Sequence, residues 1–293
     1  MNNYIGLDIG GTKIDAALVR DNKILKRKII KTPKNKKDFL AAVFGIIQEL
    51  SSDKNAAIRG IGIGMAGVID RKAGKIIKSP NLPKLNGLNL KSALENKFGL
   101  PVRIDNDAKC FIRAEAKFGA ARKRKNAIGL ILGTGIGSGI MIDGKIYYGG
   151  GSAGEIGHTI IMSDARSRMS DVIIEELLSF EELVSKKGFL RLGVKDVRKL
   201  TEQARQGDKK ALKIFAIVGG YLGIGLANVI NTLNPEIIVL GGGLVNVANF
   251  LLPTTKKIIK KLALAPKAKN TPIIVSKLGD EAGILGAVLI FFE

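Results

Sequence analysis

Two glycine turns in matching frames carry the first chemical signal. Leu7-Asp8-Ile9-Gly10-Gly11-Thr12-Lys13 returns in the second half as Leu130-Ile131-Leu132-Gly133-Thr134-Gly135-Ile136. The flanks match as well: Ile5-Gly6-Leu7 parallels Ile128-Gly129-Leu130, and Asp21-Asn22-Lys23-Ile24 parallels Asp143-Gly144-Lys145-Ile146. Glycine lets backbone approach an anion closely, and successive N–H groups in such a turn form an anion-binding concavity. A pair of these turns implies a nucleotide held between two related halves. Gly10, Gly11, Thr12 and Lys13 are then expected to take one phosphate group, and Gly133, Thr134 and Gly135 another. Asp8 is the carboxylate expected to hold Mg²⁺, through water, because Mg²⁺ keeps much of its hydration shell while it bridges phosphates.

The elements that must position these turns are strands. A Rossmann or P-loop turn leads into an amphipathic helix, and here none follows. Asp15-Ala16-Ala17-Leu18-Val19 and Ser138-Gly139-Ile140-Met141-Ile142 read as strands that close β-hairpins at Asp21-Asn22 and Asp143-Gly144. The first half then alternates helix and strand, with a helical pattern from Lys37 to Leu50 and the apolar run Ile61-Gly62-Ile63-Gly64-Met65. A loop through Ser79-Pro80-Asn81-Leu82-Pro83 precedes a helix capped by Asn89 and ended by Gly99. The short strand Val102-Arg103-Ile104 delivers Asp105-Asn106-Asp107 to a helix that stops at Gly119. In the second half a helix is expected from Asp171 to Lys186, with apolar positions at Ile173, Ile174, Leu177, Leu178 and Leu183. A long apolar helix from Ala211 to Leu233 follows. Ile237-Ile238-Val239-Leu240 reads as a buried strand running into Gly241-Gly242-Gly243, and a last helix from Asp280 to Phe291 is expected to cross back onto the first domain. The domains are therefore drawn at 1–119, 120–278 and 279–293.

Composition bounds the rest. A length of 293 residues with 46% hydrophobic content suits about two domains with real cores. No apolar run reaches the roughly 18 residues that span a bilayer, no signal peptide fits before Tyr4, and the single Cys110 agrees with a reducing compartment, so a cytoplasmic protein without membrane partners is expected. The net charge of +21 is spread through nearly every segment, with 5% aromatic residues and no Trp, which reads as a solvated basic surface without a specific nucleic-acid partner.

The whole chain resembles the ROK family of sugar kinases and regulators, within the larger superfamily of sugar kinases, actin and heat-shock ATPases. The likeness rests on Asp8-Ile9-Gly10-Gly11-Thr12-Lys13, Asn106-Asp107-Ala108, Leu132-Gly133-Thr134-Gly135-Ile136-Gly137 and Gly154-Glu155-Ile156-Gly157-His158. It continues through Gly225-Leu226-Ala227-Asn228, Leu233-Asn234-Pro235-Glu236, Val239-Leu240-Gly241-Gly242-Gly243 and Leu278-Gly279-Asp280.

The resemblance implies an α/β, two-domain actin-like ATPase (ribonuclease H-like) fold with a cleft between the domains. It implies ATP and Mg²⁺ as cofactors, a hexose as substrate, and a homodimer. Asp107 is expected to be the catalytic base, because transfer to a sugar hydroxyl needs a carboxylate within hydrogen-bond reach of it. The family's sugar contacts map onto Gly67, Asn81, Asn106, Glu155, His158 and Glu175, with Glu176 the neighbour that one residue of slippage would substitute. Gly241, Gly242 and Gly243 are expected to lie along adenosine. Most members hold a structural zinc with three cysteines after the Gly-His pair. This chain has Arg166, Arg168 and Ile173 at the matching positions, and one Cys plus one His cannot supply about four ligands, so no zinc is expected. A glucokinase-like enzyme acting on the 6-hydroxyl with ATP is the leading expectation. A polyphosphate-dependent glucokinase and a non-catalytic sugar-sensing protein are the alternatives, although no helix-turn-helix segment fits before Ile5.

Overall fold

The computed structural model describes residues 2–52, 57–163 and 177–293. Each half begins with the same construction. β1 (Asn3–Ile9) and β2 (Lys13–Arg20) form an antiparallel hairpin that β3 (Lys23–Lys31) extends, with non-glycine residues Asp21 and Asn22 at positive φ in the turn. β4 (Ile58–Met65) joins β1 in parallel and β7 (Val102–Asn106) joins β4 in parallel, giving the order β3-β2-β1-β4-β7. β8 (Ala127–Leu132), β9 (Ile136–Ile142), β10 (Lys145–Ile146), β13 (Ile237–Gly241) and β14 (Ile273–Val275) repeat that order as β10-β9-β8-β13-β14.

The helices sort by which sheet face they cover. α1 (Lys36–Leu50) and α2 (Leu90–Phe98) close one face of the first sheet over Ile5, Leu7 and Ile9. Asn35 and Asn89 cap these helices by accepting the N–H groups of Asp38 and Ser92, and Gly99 ends the second in a left-handed turn. In the second half, α4 (Phe180–Val184), α7 (Lys209–Leu233) and α8 (Ala248–Leu262) pack with β8 and β9 in a separate core. Against the expectation that no apolar run reaches spanning length, α7 is long and apolar enough to cross a bilayer, yet its most apolar window is 56% buried, and Gly219 and Gly223 lie against Leu251 and Ile258 of α8. Packing inside the core is what that apolarity serves.

A third core lies between the sheets, and its two helices change sides. α3 (Asp107–Phe118) follows β7 of the first sheet but packs on the second, where Cβ atoms at Gly129 and Gly241 would strike Ile112 and Phe111 within 2.8 Å. α9 (Glu281–Leu289) follows β14 of the second sheet but packs on the first, with the backbone of Ile284 and Ala287 set directly over Gly6 and Gly62. Only hydrogen at those glycines leaves room for such an approach.

One element departs from the sequence reading. Leu177–Ser179 is a strand, β12, paired antiparallel with β11 (Ile160–Ser163), and the helix starts only at Phe180, where Ser179 and Glu182 form a reciprocal capping box. The positions expected at 171–176, together with Arg166 and Arg168, lie outside the described residues.

Candidate active site

The carboxyl ends of β1, β4 and β7 come together by register. Asp8 pairs across from Gly64, and Met65 from Asn106. Asn106 caps α3, its Oδ1 accepting the N–H groups of Ala108 at 2.9 Å and Lys109 at 3.1 Å, while its Nδ2 donates to the Gly67 carbonyl at 3.0 Å. Asn106 thus ties the Gly67 loop to the start of α3 and keeps one amide hydrogen for a ligand. Gly67 itself needs its positive φ of 125°, where a side chain would run into the backbone of Lys78 and Ser79.

Asp107, the first residue of α3, is half-buried and accepts the Ala108 N–H at 2.9 Å. Burial pushes its carboxyl up to about 6, the N–H groups of the helix start oppose this, and the carboxylates of Glu155 and Asp105 add to it. Its Cα lies 3.5 Å from where a Cβ on Gly64 would stand, and Ala108 rests on Gly137 and Gly139 of β9. The start of α3 therefore touches both the strand beside Asp8 and the strand that leaves the second glycine turn.

Asp8 is pushed up to about 7, first by burial and then by the carboxylates of Asp107 and Asp15, with Lys13 acting the other way. Among the described residues no donor bonds to its carboxylate, and α9 lies against it at Gly283. The first turn is laced by Gly10 N–H to Lys13 carbonyl (3.0 Å), Thr32 N–H to Thr12 carbonyl (3.0 Å) and Thr32 Oγ1 to Gly10 carbonyl (2.8 Å). The Asn81 side chain lies against Gly11, and Lys34 donates to the Gly11 carbonyl. Thr12 is exposed. The Lys13 ammonium is held by Asp280 at 2.6 Å and Asp15 at 3.5 Å, and Arg27 grips Asp15 with two bonds of 2.8 and 2.7 Å.

The second turn is fixed differently. Gly133 N–H donates to the Gly135 carbonyl, and Glu181 packs under Gly135 while accepting the Ile136 N–H at 2.9 Å. Lys187 holds the other Glu181 oxygen at 2.7 Å. Thr134 is exposed at the tip. Gly241 pairs with Ile131, and Gly242, at φ 85°, lies against the Leu132 carbonyl, so Gly241 to Gly243 border this turn. Open space lies beyond Gly133 and Gly243.

Glu155 and His158 share a short helical turn, with Oε2 and Nε2 3.9 Å apart and both side chains exposed. Ser138 of β9 anchors this turn through the Gly154 carbonyl and the Ile156 N–H. Glu175 lies outside the described residues.

Sequence reasoning missed the support beneath Asp107. Asp105 is 1% exposed and accepts the Arg113 guanidinium at 2.7 Å and the Tyr148 hydroxyl at 2.7 Å. Arg113 also binds Glu293 at 2.8 Å, and Arg71 binds Glu293 at 2.9 Å and stacks 3.9 Å over the Tyr148 ring. Apart from Arg113, eight residues on from Asp105, these hydrogen-bonded partners lie 43 to 222 residues apart and leave no local signal. Asp280 and Glu181 were missed as supports for the same reason.

Known proteins share the motifs and fold of this chain along its length. The ROK family model matches residues 4–293. An N-acetyl-D-glucosamine kinase from Photobacterium profundum is 34% identical, over 98% of each chain. A glucokinase from Thermotoga maritima is 32% identical, over 99% of this chain and 97% of the relative. The crystal structure of a ROK family glucokinase from Streptomyces griseus, in complex with glucose and AMPPNP, superposes with a TM-score of 0.83 at 26% identity, covering 99% of both chains. The twin-sheet architecture is the actin-like ATPase fold. With motifs, topology and match all running the length of the molecule, the chain belongs to the ROK family.

Proposed function

We propose that this protein is an ATP-dependent hexose kinase, glucokinase-like, which transfers the γ-phosphate to a sugar 6-hydroxyl. The observation that carries the reading is the convergence at the start of α3, where Asp107 touches the strand beside Asp8 and Ala108 touches the strand that leaves the second glycine turn. Residues 1–119 with 279–293 act as one lobe and 120–278 as the other, closing on sugar and nucleotide and excluding the water that would otherwise accept the phosphoryl group.

In this reading Asp107 accepts a hydrogen bond from the sugar hydroxyl, orients its oxygen and takes the proton as the new P–O bond forms. Glu155, His158, Asn81, Asn106, Gly67 and Glu175 hold the sugar. The backbone of Gly10 to Lys13 and of Gly133 to Gly135 grips phosphates, and Gly241 to Gly243 flank the nucleoside. The residues fit Mg²⁺: Asp8 is a half-buried carboxylate that receives no hydrogen bond among the described residues, so its oxygens keep lone pairs for a hydrated cation. Mg²⁺ held there through water would neutralise charge on the phosphates.

The net charge of +21 favours a second donor, inorganic polyphosphate. A coupled assay over glucose, mannose, fructose, N-acetylglucosamine and N-acetylmannosamine, each with ATP and with polyphosphate, tests both readings. ATP-dependent turnover of a hexose that Asp107→Asn abolishes is the expected result. Turnover with polyphosphate alone selects the second donor, and no turnover with any pair refutes the kinase reading.

A further inference from the structure

A cavity of about 830 Å³ opens at the other end of the same strands. Tyr4 lines it near the start of β1, while Asp8 lies four residues on, or about 13 Å along the strand. Arg113 and Lys117 line it from the later part of α3, with Lys117 about 15 Å along the helix from Asp107. The cavity therefore lies away from Asp8 and Asp107, and only its Arg113, Tyr148 and Glu293 wall is shared with the cluster beneath Asp107. Its size falls within the roughly 300–1,000 Å³ of small-molecule pockets.

The walls are apolar and come from both sheets. Tyr4 and Val19 belong to the first sheet, Met141 and Ile146 to the second, and Leu289 and Phe292 to the end of the crossing helix and the turn after it. The charges are arranged unequally. At the floor, Arg113 is 7% exposed and already paired with Asp105 and Glu293. Asp21 is an exposed carboxylate that accepts the Asn2 N–H and, like the lysines of the rim, forms no ion pair among the described residues. At the rim, Lys117 and Lys145 are exposed and form no ion pair among the described residues. A largely apolar hollow whose unpaired lining charges are two lysines and one carboxylate keeps a positive balance at Lys117 and Lys145, and fits a molecule with a hydrocarbon or aromatic body and one anionic group, because burial of the body is favourable while the acid stays at the lysines.

The geometry points to a binding site for an apolar monoanion, of the class of medium-chain carboxylates and aryl sulfonates, that regulates the kinase by bridging its two sheets. An occupant touching both walls binds one spacing of the sheets best, and closure of the catalytic cleft changes that spacing. The coupling is reciprocal, so the anion shifts sugar affinity as sugar shifts anion affinity. The regulatory half rests on the kinase reading, whereas the binding half does not.

The test uses 8-anilinonaphthalene-1-sulfonate as a fluorescent probe and decanoate as competitor, on the full chain. Saturable one-to-one binding displaced by decanoate is expected. Ile146→Trp, which fills the hollow, should weaken probe binding at least about tenfold, and the exposed pair Lys117→Glu with Lys145→Glu about fivefold or more, with unchanged thermal melting of the pair reporting an intact fold. Non-saturable binding, or affinity unmoved by either change, overturns the site. Decanoate should also shift the sugar KM about twofold or more in the wild type and not in the lysine variant. Probe binding without that shift overturns the regulation, and absence of all kinase turnover counts against the proposed function while the binding result stands.

Discussion

The two glycine turns share a backbone frame and differ in what surrounds it. Where the first turn has Asp8 and Lys13, the second has Ile131 and Ile136. The first is set among carboxylates, with Asp8, Asp15 and Asp280 around a single ammonium and Asp107 close by. The second keeps its charge behind the turn, in Glu181 and Lys187, where it braces backbone. Under the proposed function a duplicated scaffold divides the labour: one copy would keep the groups for cation and proton chemistry, and the other only the grip.

The sharpest break of that division is Asp107→Asn. Turnover should fall about 10²- to 10⁴-fold while sugar affinity, measured by calorimetry, stays within about threefold. A variant that keeps its turnover would return Asp107 to a mere helix start. Next in size, Asp8→Asn should weaken Mg²⁺ dependence about 10- to 100-fold, read as the Mg²⁺ concentration for half-maximal rate, as for other groups that hold a metal through an intermediary.

The pH profile tests the same side of the comparison. Because Asp107 is raised to about 6, log kcat/KM for the sugar, measured at saturating Mg²⁺ so that Asp8 stays ionised, should climb about one unit per pH unit below 6 and flatten above it. The stability sign is opposite. The folded protein holds this proton more tightly than the unfolded chain, so the contribution is fully present below the ordinary carboxylate value of 3.8 and is lost as pH rises through about 6. Asp107→Asn should therefore melt at or above the wild-type temperature at pH 7, as followed by circular dichroism. The smallest effect belongs to the second turn: Glu181→Gln should raise the ATP KM about threefold and cost about 1–2 kcal/mol in urea unfolding, with the sugar KM unmoved. A shift in sugar KM instead would mean that the grip is not confined to the nucleotide.

What the sequence made legible was local. Hairpin turns at Asp21-Asn22 and Asp143-Gly144, the Asn89 cap, and the stops at Gly99 and Gly119 are written within a few residues of where they act, and the structure has each of them. Leu177 and Leu178 show the limit. Their spacing with Ile173, Ile174 and Leu183 matches a helical period, but pairing with Ile160–Ser163 claims them for a strand, a contact no window of adjacent residues contains. The Asp105 cluster was hidden in the same way. Its charges look like scattered surface residues until the two sheets bring Arg71, Arg113, Tyr148 and Glu293 to one buried carboxylate.

The exchange of α3 and α9 between the sheets sets a schedule for synthesis. The first sheet has all five strands once residue 106 is made, yet the face bearing Gly6 and Gly62 stays bare until α9 has left the ribosome. At ordinary translation speed that wait is about 10–40 s, far longer than a small domain takes to collapse. A nascent chain of this protein therefore carries an uncovered strand layer through most of its elongation, and holding that layer out of trouble is a task for the chaperones that meet it at the exit tunnel.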